Sequence, residues 1–193
     1  MHLGKEKRRV IVDVDGVLRD FIASLVKVYL REYPDHKVSL IASRKLHECF
    51  PLGEKIYEFM DETFAWEILT EAPPFPGAIE ALQSWHQKFD IVIATNQPPL
   101  GKAPTLVWLG THHVPSDEIH ITAEKHLLPG VAILDDFVDN LDKFASTGRL
   151  AVCLDHPWNK HWKGPRVETV DDFFCLVSEY LKETDFDEGV LLA

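Results

Sequence analysis

Asp13 and Asp15, separated by a single residue, close a short apolar run in the segment VIVDVDGVLRD, residues 10–20. In an extended chain, residues i and i+2 share a face, so the two carboxylates point the same way. Gly16 then allows the backbone to turn. A carboxylate placed like Asp13 can attack phosphorus and form an acyl phosphate, dividing one hard step into two. A second carboxyl at Asp15 can protonate a leaving oxygen and afterwards deprotonate a water. On its own the pair also fits a surface turn or a bare metal site.

Three further places complete the set. Thr95-Asn96 follows the run Ile91-Val92-Ile93-Ala94 and offers a hydroxyl and an amide to phosphoryl oxygens, although a Thr-Asn pair can equally cap a helix. Asp135-Asp136 follows Val131-Ala132-Ile133-Leu134. Its carboxylate oxygens are the ligands Mg²⁺ prefers, and adjacent unpaired acids after a buried run are otherwise costly; a helix N-cap is the alternative. Lys125 can neutralise charge on the nucleophile and the phosphoryl group. Lys102, in the Gly- and Pro-rich stretch after Thr95, competes for that role and is a candidate substrate contact.

These residues need a scaffold that brings distant strand ends together. Short β-branched runs alternating with helical patterns predict an α/β fold with a mainly parallel sheet. Strands are expected at 10–12, 91–94, 131–134 and 150–154, with a weaker one at 119–121. Ligands of open α/β sheets bind at the carboxyl ends of the strands, where Asp13, Thr95 and Asp135 would meet. The stretch between the first two strands is far longer than a crossover requires. Helices are expected at 20–33, ended by Tyr33-Pro34, from Gly53 to Asp61, and from Ala78 to Gln87 after the PPFPG stretch. Residues 20–72 are expected to form a helical cap over the crevice, with 1–19 and 73–193 as the core. The acidic tail Glu183–Glu188 reads as a solvated, frayed end.

The formal net charge of −11 over 193 residues argues against a nucleic-acid polymer or an anionic membrane as partner, since both need a basic face. Cys49, Cys153 and Cys175 lack zinc-type spacing and read as buried, reduced thiols. The basic start MHLGKEKRR leads into no apolar segment of signal-peptide type, and no run spans a bilayer. The expectation is a cytoplasmic protein, with a homodimer as an allowed assembly.

The order Asp-x-Asp, Thr, Lys, Asp-Asp resembles the haloacid dehalogenase-like (HAD) superfamily of phosphatases over nearly the whole chain. The resemblance implies a three-layer HAD-like core with the Asp13 strand at its centre. It also implies Asp13 as nucleophile, Asp15 as acid/base, and Thr95 and Lys125 on the phosphate. Mg²⁺ would be held by Asp13, the backbone carbonyl of Asp15, and Asp135, with Asp136 in support. DVDGVLRDF, EILTEAPPFPGAIEAL and AEKHLLPGVAILDDFVDN are similar to the 5′(3′)-deoxyribonucleotidase family, including a lysine ten residues before the acidic pair. That spacing favours Lys125 over Lys102, and LDHPWNK at 154–160 resembles bacterial members. The implied substrate is a nucleoside monophosphate, its base sandwiched by aromatic cap residues. The alternative is a phosphatase for a sugar or another small metabolite.

Two positions depart from the family: Arg19 replaces a small residue and is expected to alter the site entrance, and Asn96 replaces the serine of mammalian members. Phe21 is the expected aromatic wall, while Phe64 and Trp66 can stack on a base or simply pack the cap. The histidines His112, His113, His156 and His161 read as surface or loop residues. Trp158 and Trp162 read as folding a loop over the sheet edge. A phospho-receiver domain is disfavoured by motif order, since receivers carry the acidic pair first and the lysine last. A catalytically dead nucleotide-binding protein is disfavoured because every chemical position holds a competent residue.

Overall fold

A computed structural model describes residues 7–191, with side chains through 184. The start MHLGKE lies outside the described residues. Strand β1 (Arg8–Val12) leads into a helical region made of α1 (Phe21–Glu32), α2 (Lys55–Glu58), a single π-helical turn at Phe59–Thr63, and α3 (Ala65–Glu71). The chain continues through α4 (Ala78–Trp85), β2 (Phe89–Thr95), α5 (Lys102–Thr111), β3 (Glu118–Ile121), β4 (Ala132–Asp135), α6 (Val138–Ala145), β5 (Leu150–Leu154), β6 (Arg166–Val167) and α7 (Val170–Leu191).

The six strands form one parallel sheet in the order β3-β2-β1-β4-β5-β6. Val12 lies beside Ile93 on one side and Leu134 on the other, so Asp13, Thr95 and Asp135 end three neighbouring strands at one edge. Period-2 alternation sorts the strand residues onto two faces. Val10, Val12, Ile91, Ile93, Leu134 and Val152 pack with Leu82 of α4 and Phe174 of α7. Ile11, Val92, Ala94, Ile133 and Ala151 pack with Leu141 and Phe144 of α6. The result is a three-layer α/β core, with the Asp13 strand at its centre.

The helical region after β1 has its own apolar cluster, in which Leu25, Val28 and Tyr29 of α1 meet Ile41, Phe50, Ile56, Phe59 and Ile68. It leaves and rejoins the core at one place. The Asp20 amide donates to the Pro73 carbonyl at 2.8 Å, and the Phe75 amide to the Leu18 carbonyl at 2.9 Å. Asp20 also caps α1, its Oδ1 accepting from the Ala23 amide at 3.0 Å.

The expected helix from Gly53 to Asp61 is instead a short α-helix followed by the π-helical turn; such turns often mark functional sites. The acidic tail expected to fray belongs to α7, which runs to Leu191. Strand β6, two residues long, has no periodicity to betray it. Cys49 and Cys153 are buried thiols as expected, but Cys175 is exposed on α7. Among the described residues no helix is long and apolar enough to cross a membrane.

Candidate active site

β1 delivers Asp13 into the interior. Its Oδ1 accepts from the Val14 amide at 2.7 Å and lies 2.8 Å from Lys125 Nζ. Gly16 turns the chain with φ of 77°. A side chain at Gly16 would put a Cβ 2.5 Å from Asp136 Oδ2, so glycine is what lets the turn after β1 press against the end of β4. His156 Nε2 donates to the Gly16 carbonyl at 2.7 Å and secures that turn.

β4 delivers Asp135 and Asp136, both buried. Asp135 Oδ1 accepts from the Phe137 amide at 2.8 Å, and its Oδ2 accepts from Lys125 Nζ at 2.7 Å and Asn140 Nδ2 at 3.1 Å. Asp136 Oδ2 accepts from Trp158 Nε1 at 2.8 Å and Arg44 Nη1 at 3.1 Å. Lys125 sits in a short turn, only 3% exposed, between Asp13 and Asp135. Arg149 fixes that turn by donating to the carbonyls of His126, Leu128 and Gly130.

Asp13, Asp135 and Asp136 each present an oxygen within 4.8 Å of the others. Burial, opposed by Lys125 and reinforced by Asp135 and Asp136, pushes the Asp13 carboxyl up to about 8. Burial likewise raises Asp136, against the pull of Arg44. Burial alone would lower the Lys125 ammonium, but the Asp13 and Asp135 carboxylates outweigh it and hold its pKa above the ordinary value. Three buried acids thus face one buried ammonium and the tip of Arg44. A hard, all-oxygen donor set short of positive charge suits Mg²⁺.

Thr95, at the end of β2, is buried, and its Oγ1 accepts from Gln97 Nε2 at 3.0 Å. The same Gln97 nitrogen donates to Asp15 Oδ2 at 2.6 Å. These residues floor a cleft of about 490 Å³. Asn96 and Phe21 also line it, and Phe21, Ile22, Ile41, Leu46, Tyr57 and Met60 give the side contributed by the helical region an apolar character.

The structure brings Asp13, Asp15, Thr95, Asn96, Phe21, Lys125 and Asp136 to this cleft, with Asp135 directly behind. It does not bring Lys102, which is exposed at the start of α5. Phe64 packs against Phe59 in the cluster beneath, and Trp66 is 57% exposed and outside the cleft lining. Arg19 is not at the entrance: it is completely buried. Trp158 does not merely cover a sheet edge; it lines the cleft, donates to Asp136 and stacks on His156 at 4.2 Å. His156 is a loop residue as expected, half-buried in that stack.

Gln97, Arg44 and Trp158 were not assigned to the site from sequence. Only Gln97, two residues beyond a strand-end threonine, carried a local signal; the others reach the site across large sequence separations.

Comparison with known proteins places this geometry. A family model described as "5' nucleotidase, deoxy (Pyrimidine), cytosolic type C protein" matches residues 7–179. The human cytosolic-type 5′(3′)-deoxyribonucleotidase is 28% identical over 144 residues, 66% of this chain and 70% of that protein. The mouse mitochondrial 5′(3′)-deoxyribonucleotidase is 28% identical over 149 residues, 68% of this chain and 65% of that protein. The chain therefore spans about two thirds of the length of these relatives. Among solved structures, a Bacillus subtilis HAD-hydrolase bound to magnesium superposes with a TM-score of 0.62 at 12% identity, covering 90% of this chain and 100% of that one. The L-2-haloacid dehalogenase of Xanthobacter autotrophicus gives 0.62 at 12% identity, covering 90% and 99%. The fold is that of the haloacid dehalogenase-like hydrolases, with a small helical cap after the first strand.

Proposed function

Since the chain belongs to the cytosolic type C 5′ nucleotidase family of the HAD superfamily, we propose that it hydrolyses the phosphomonoester of nucleoside monophosphates through an aspartyl-phosphate on Asp13. One observation carries this reading: Asp13, Thr95, Lys125 and Asp136 meet at the carboxyl ends of adjacent parallel strands, in a cleft whose opposite wall is mostly apolar, broken by Ser43, Arg44 and Asp61.

The two donors at Asp13 Oδ1 fix the plane of the attacking carboxylate. As its oxygen bonds to phosphorus, the ester oxygen departs and takes a proton from Asp15. Water then attacks the same phosphorus, Asp15 takes the proton, and the Asp13 ester oxygen is released as carboxylate. Thr95, Asn96 and Lys125 hold the transferring group, so positioning and charge neutralisation supply most of the rate. Asp13, Asp135 and Asp136, with the Asp15 backbone carbonyl, would hold Mg²⁺, which would neutralise phosphoryl charge. The apolar wall around Phe21 suits the face of a nucleobase. Residues 20–72 act as the cap, and the cytosolic type of the human relative supports a cytoplasmic setting.

The test is phosphate release from nucleoside monophosphates and hexose phosphates, with and without Mg²⁺, by the native chain and Asp13→Asn. The expected result is Mg²⁺-dependent release from nucleotides, reduced on the order of 10⁴-fold or more in Asp13→Asn. Native rates in Asp13→Asn overturn the nucleophile. Turnover of hexose phosphates but not nucleotides overturns the substrate class and leaves the chemistry standing.

A further inference from the structure

Arg19 is the largest buried polar side chain, 0% exposed, and a buried guanidinium is costly unless closely paired. Its Nε donates to Asp15 Oδ1 at 2.8 Å and its Nη2 to Asp15 Oδ2 at 3.0 Å. Such a two-pronged pair fixes the plane of the carboxyl group. The remaining bonds run outward: Nη2 to Thr105 Oγ1 of α5 at 3.0 Å, and Nη1 to the Leu69 carbonyl of α3 at 3.0 Å. The guanidinium carbon lies 5.3 Å from the centre of the Trp108 ring, and Trp108 Nε1 donates to the Ala72 carbonyl at 2.7 Å. With Gln97 at 2.6 Å, both oxygens of Asp15 are engaged while its side chain stays 27% exposed to the cleft. An ion pair serving stability alone needs no partner that faces the cleft.

We propose that Arg19 is a positioning residue that fixes the orientation of the Asp15 side chain toward the water that hydrolyses the aspartyl-phosphate. Its bonds to Leu69 and Thr105 make that orientation depend on how α3 sits against α5. The proposal rests on the reading of Asp15 as the general base. In the step concerned, the water oxygen bonds to phosphorus, its proton passes to Asp15, and the bond between phosphorus and the Asp13 oxygen breaks. Arg19 touches neither water nor phosphate; it acts through Asp15. Lysine cannot replace it, because one ammonium cannot hold both oxygens in plane and also reach α3 and α5.

The test uses p-nitrophenyl phosphate with Mg²⁺, because nitrophenolate leaves without a proton and reports formation of the phospho-enzyme directly. In rapid mixing, Asp15→Asn is expected to give a burst approaching one nitrophenolate per enzyme, followed by slow turnover. Arg19→Lys and Arg19→Met should each reproduce an enlarged burst with kcat lowered on the order of 10- to 100-fold, part of the 10²–10⁴-fold that positioned proton transfer contributes. Arg19→Lys keeps a buried cation and decides the matter if Arg19→Met does not fold. A folded Arg19 variant with unchanged turnover, or with first-turnover rate and kcat falling in parallel and no larger burst, overturns the proposal. If Asp15→Asn itself gives no burst, the base assignment of Asp15 fails, which separates that failure from one confined to Arg19.

Discussion

On the core side of the cleft, each acid is held by named donors of the core, Asp13 by Val14 and Lys125, Asp135 by Phe137, Asn140 and Lys125, Asp136 by Trp158, and a single cation from the helical region, Arg44, reaches across to Asp136. On the cap side, Phe21, Ile22, Leu46, Tyr57 and Met60 offer mostly apolar surface, carried by short helices and one π-helical turn. Directional bonds to buried groups fix atoms to fractions of an ångström; apolar contacts fill volume without fixing an orientation. The core wall therefore holds its groups in fixed places, and the wall from the helical region offers a shape that small changes can alter.

Removing a core-side cation should break this contrast most severely. Lys125→Met is expected to lower kcat by about 10²–10³-fold. It should also cost about 3–5 kcal/mol of stability, because Asp13 and Asp135 lose their shared buried counter-charge. Steady-state kinetics and denaturant melts read the two effects separately. A change confined to KM would put Lys125 outside the chemistry.

A cap-side change should act on binding instead. Phe21→Ala is expected to raise KM for nucleotides by the equivalent of about 1–3 kcal/mol of lost stacking, with kcat within about twofold. A fall in kcat at unchanged KM would erase the distinction between the walls.

The smallest effect is a slope. With the Asp13 carboxyl pushed from 3.8 to about 8, chiefly by burial, the folded, metal-free chain binds a proton more tightly than the unfolded one. An acid raised in this way loses stability as pH rises between those two values. In chelator, the native melting temperature should therefore fall relative to Asp13→Asn between pH 5 and 8. Each kcal/mol amounts to about 2–4 °C in a chain of this size. Parallel melting curves would mean the acids share no such strain.

The same contrast explains what was legible in the sequence. Asp13, Thr95 and Asp135 stand out because an apolar run ends abruptly in a polar residue, and a parallel sheet gathers such ends. Lys125 is legible only through the resemblance to the nucleotidase family, whose lysine stands ten residues before the acidic pair; by residue type alone Lys102 competes with it. Arg44 and Trp158 are not, because the groups they hold lie 92 and 22 residues away and no local pattern encodes the meeting. Arg19, expected at the site entrance, is buried instead for a related reason: its partners Leu69 and Thr105 lie 50 and 86 residues away and no local pattern encodes the meeting. In the cap, the helix from residue 20 follows from its Asp20 cap and its end before Pro34. The segment from Gly53 reads as one helix although it contains a π-helical turn, which inserts a residue without changing composition. The acidic composition of 183–188 gave no sign that the helix begun at Val170 runs on to Leu191.

The place where the helical region departs and returns has a consequence for how this protein can be varied. Leu18 and Phe75 are hydrogen-bonded neighbours, as are Asp20 and Pro73, so the intervening stretch is a detour whose two ends are already joined. Its removal or exchange leaves the strand order untouched and the threading of the sheet unchanged. A graft at this junction must keep, besides Leu18, Arg19, Asp20 and Pro73 to Phe75, the Leu69 carbonyl that accepts from Arg19 and the Arg44 guanidinium that reaches Asp136, so a new roof fits this hearth only where those two beams are carried over.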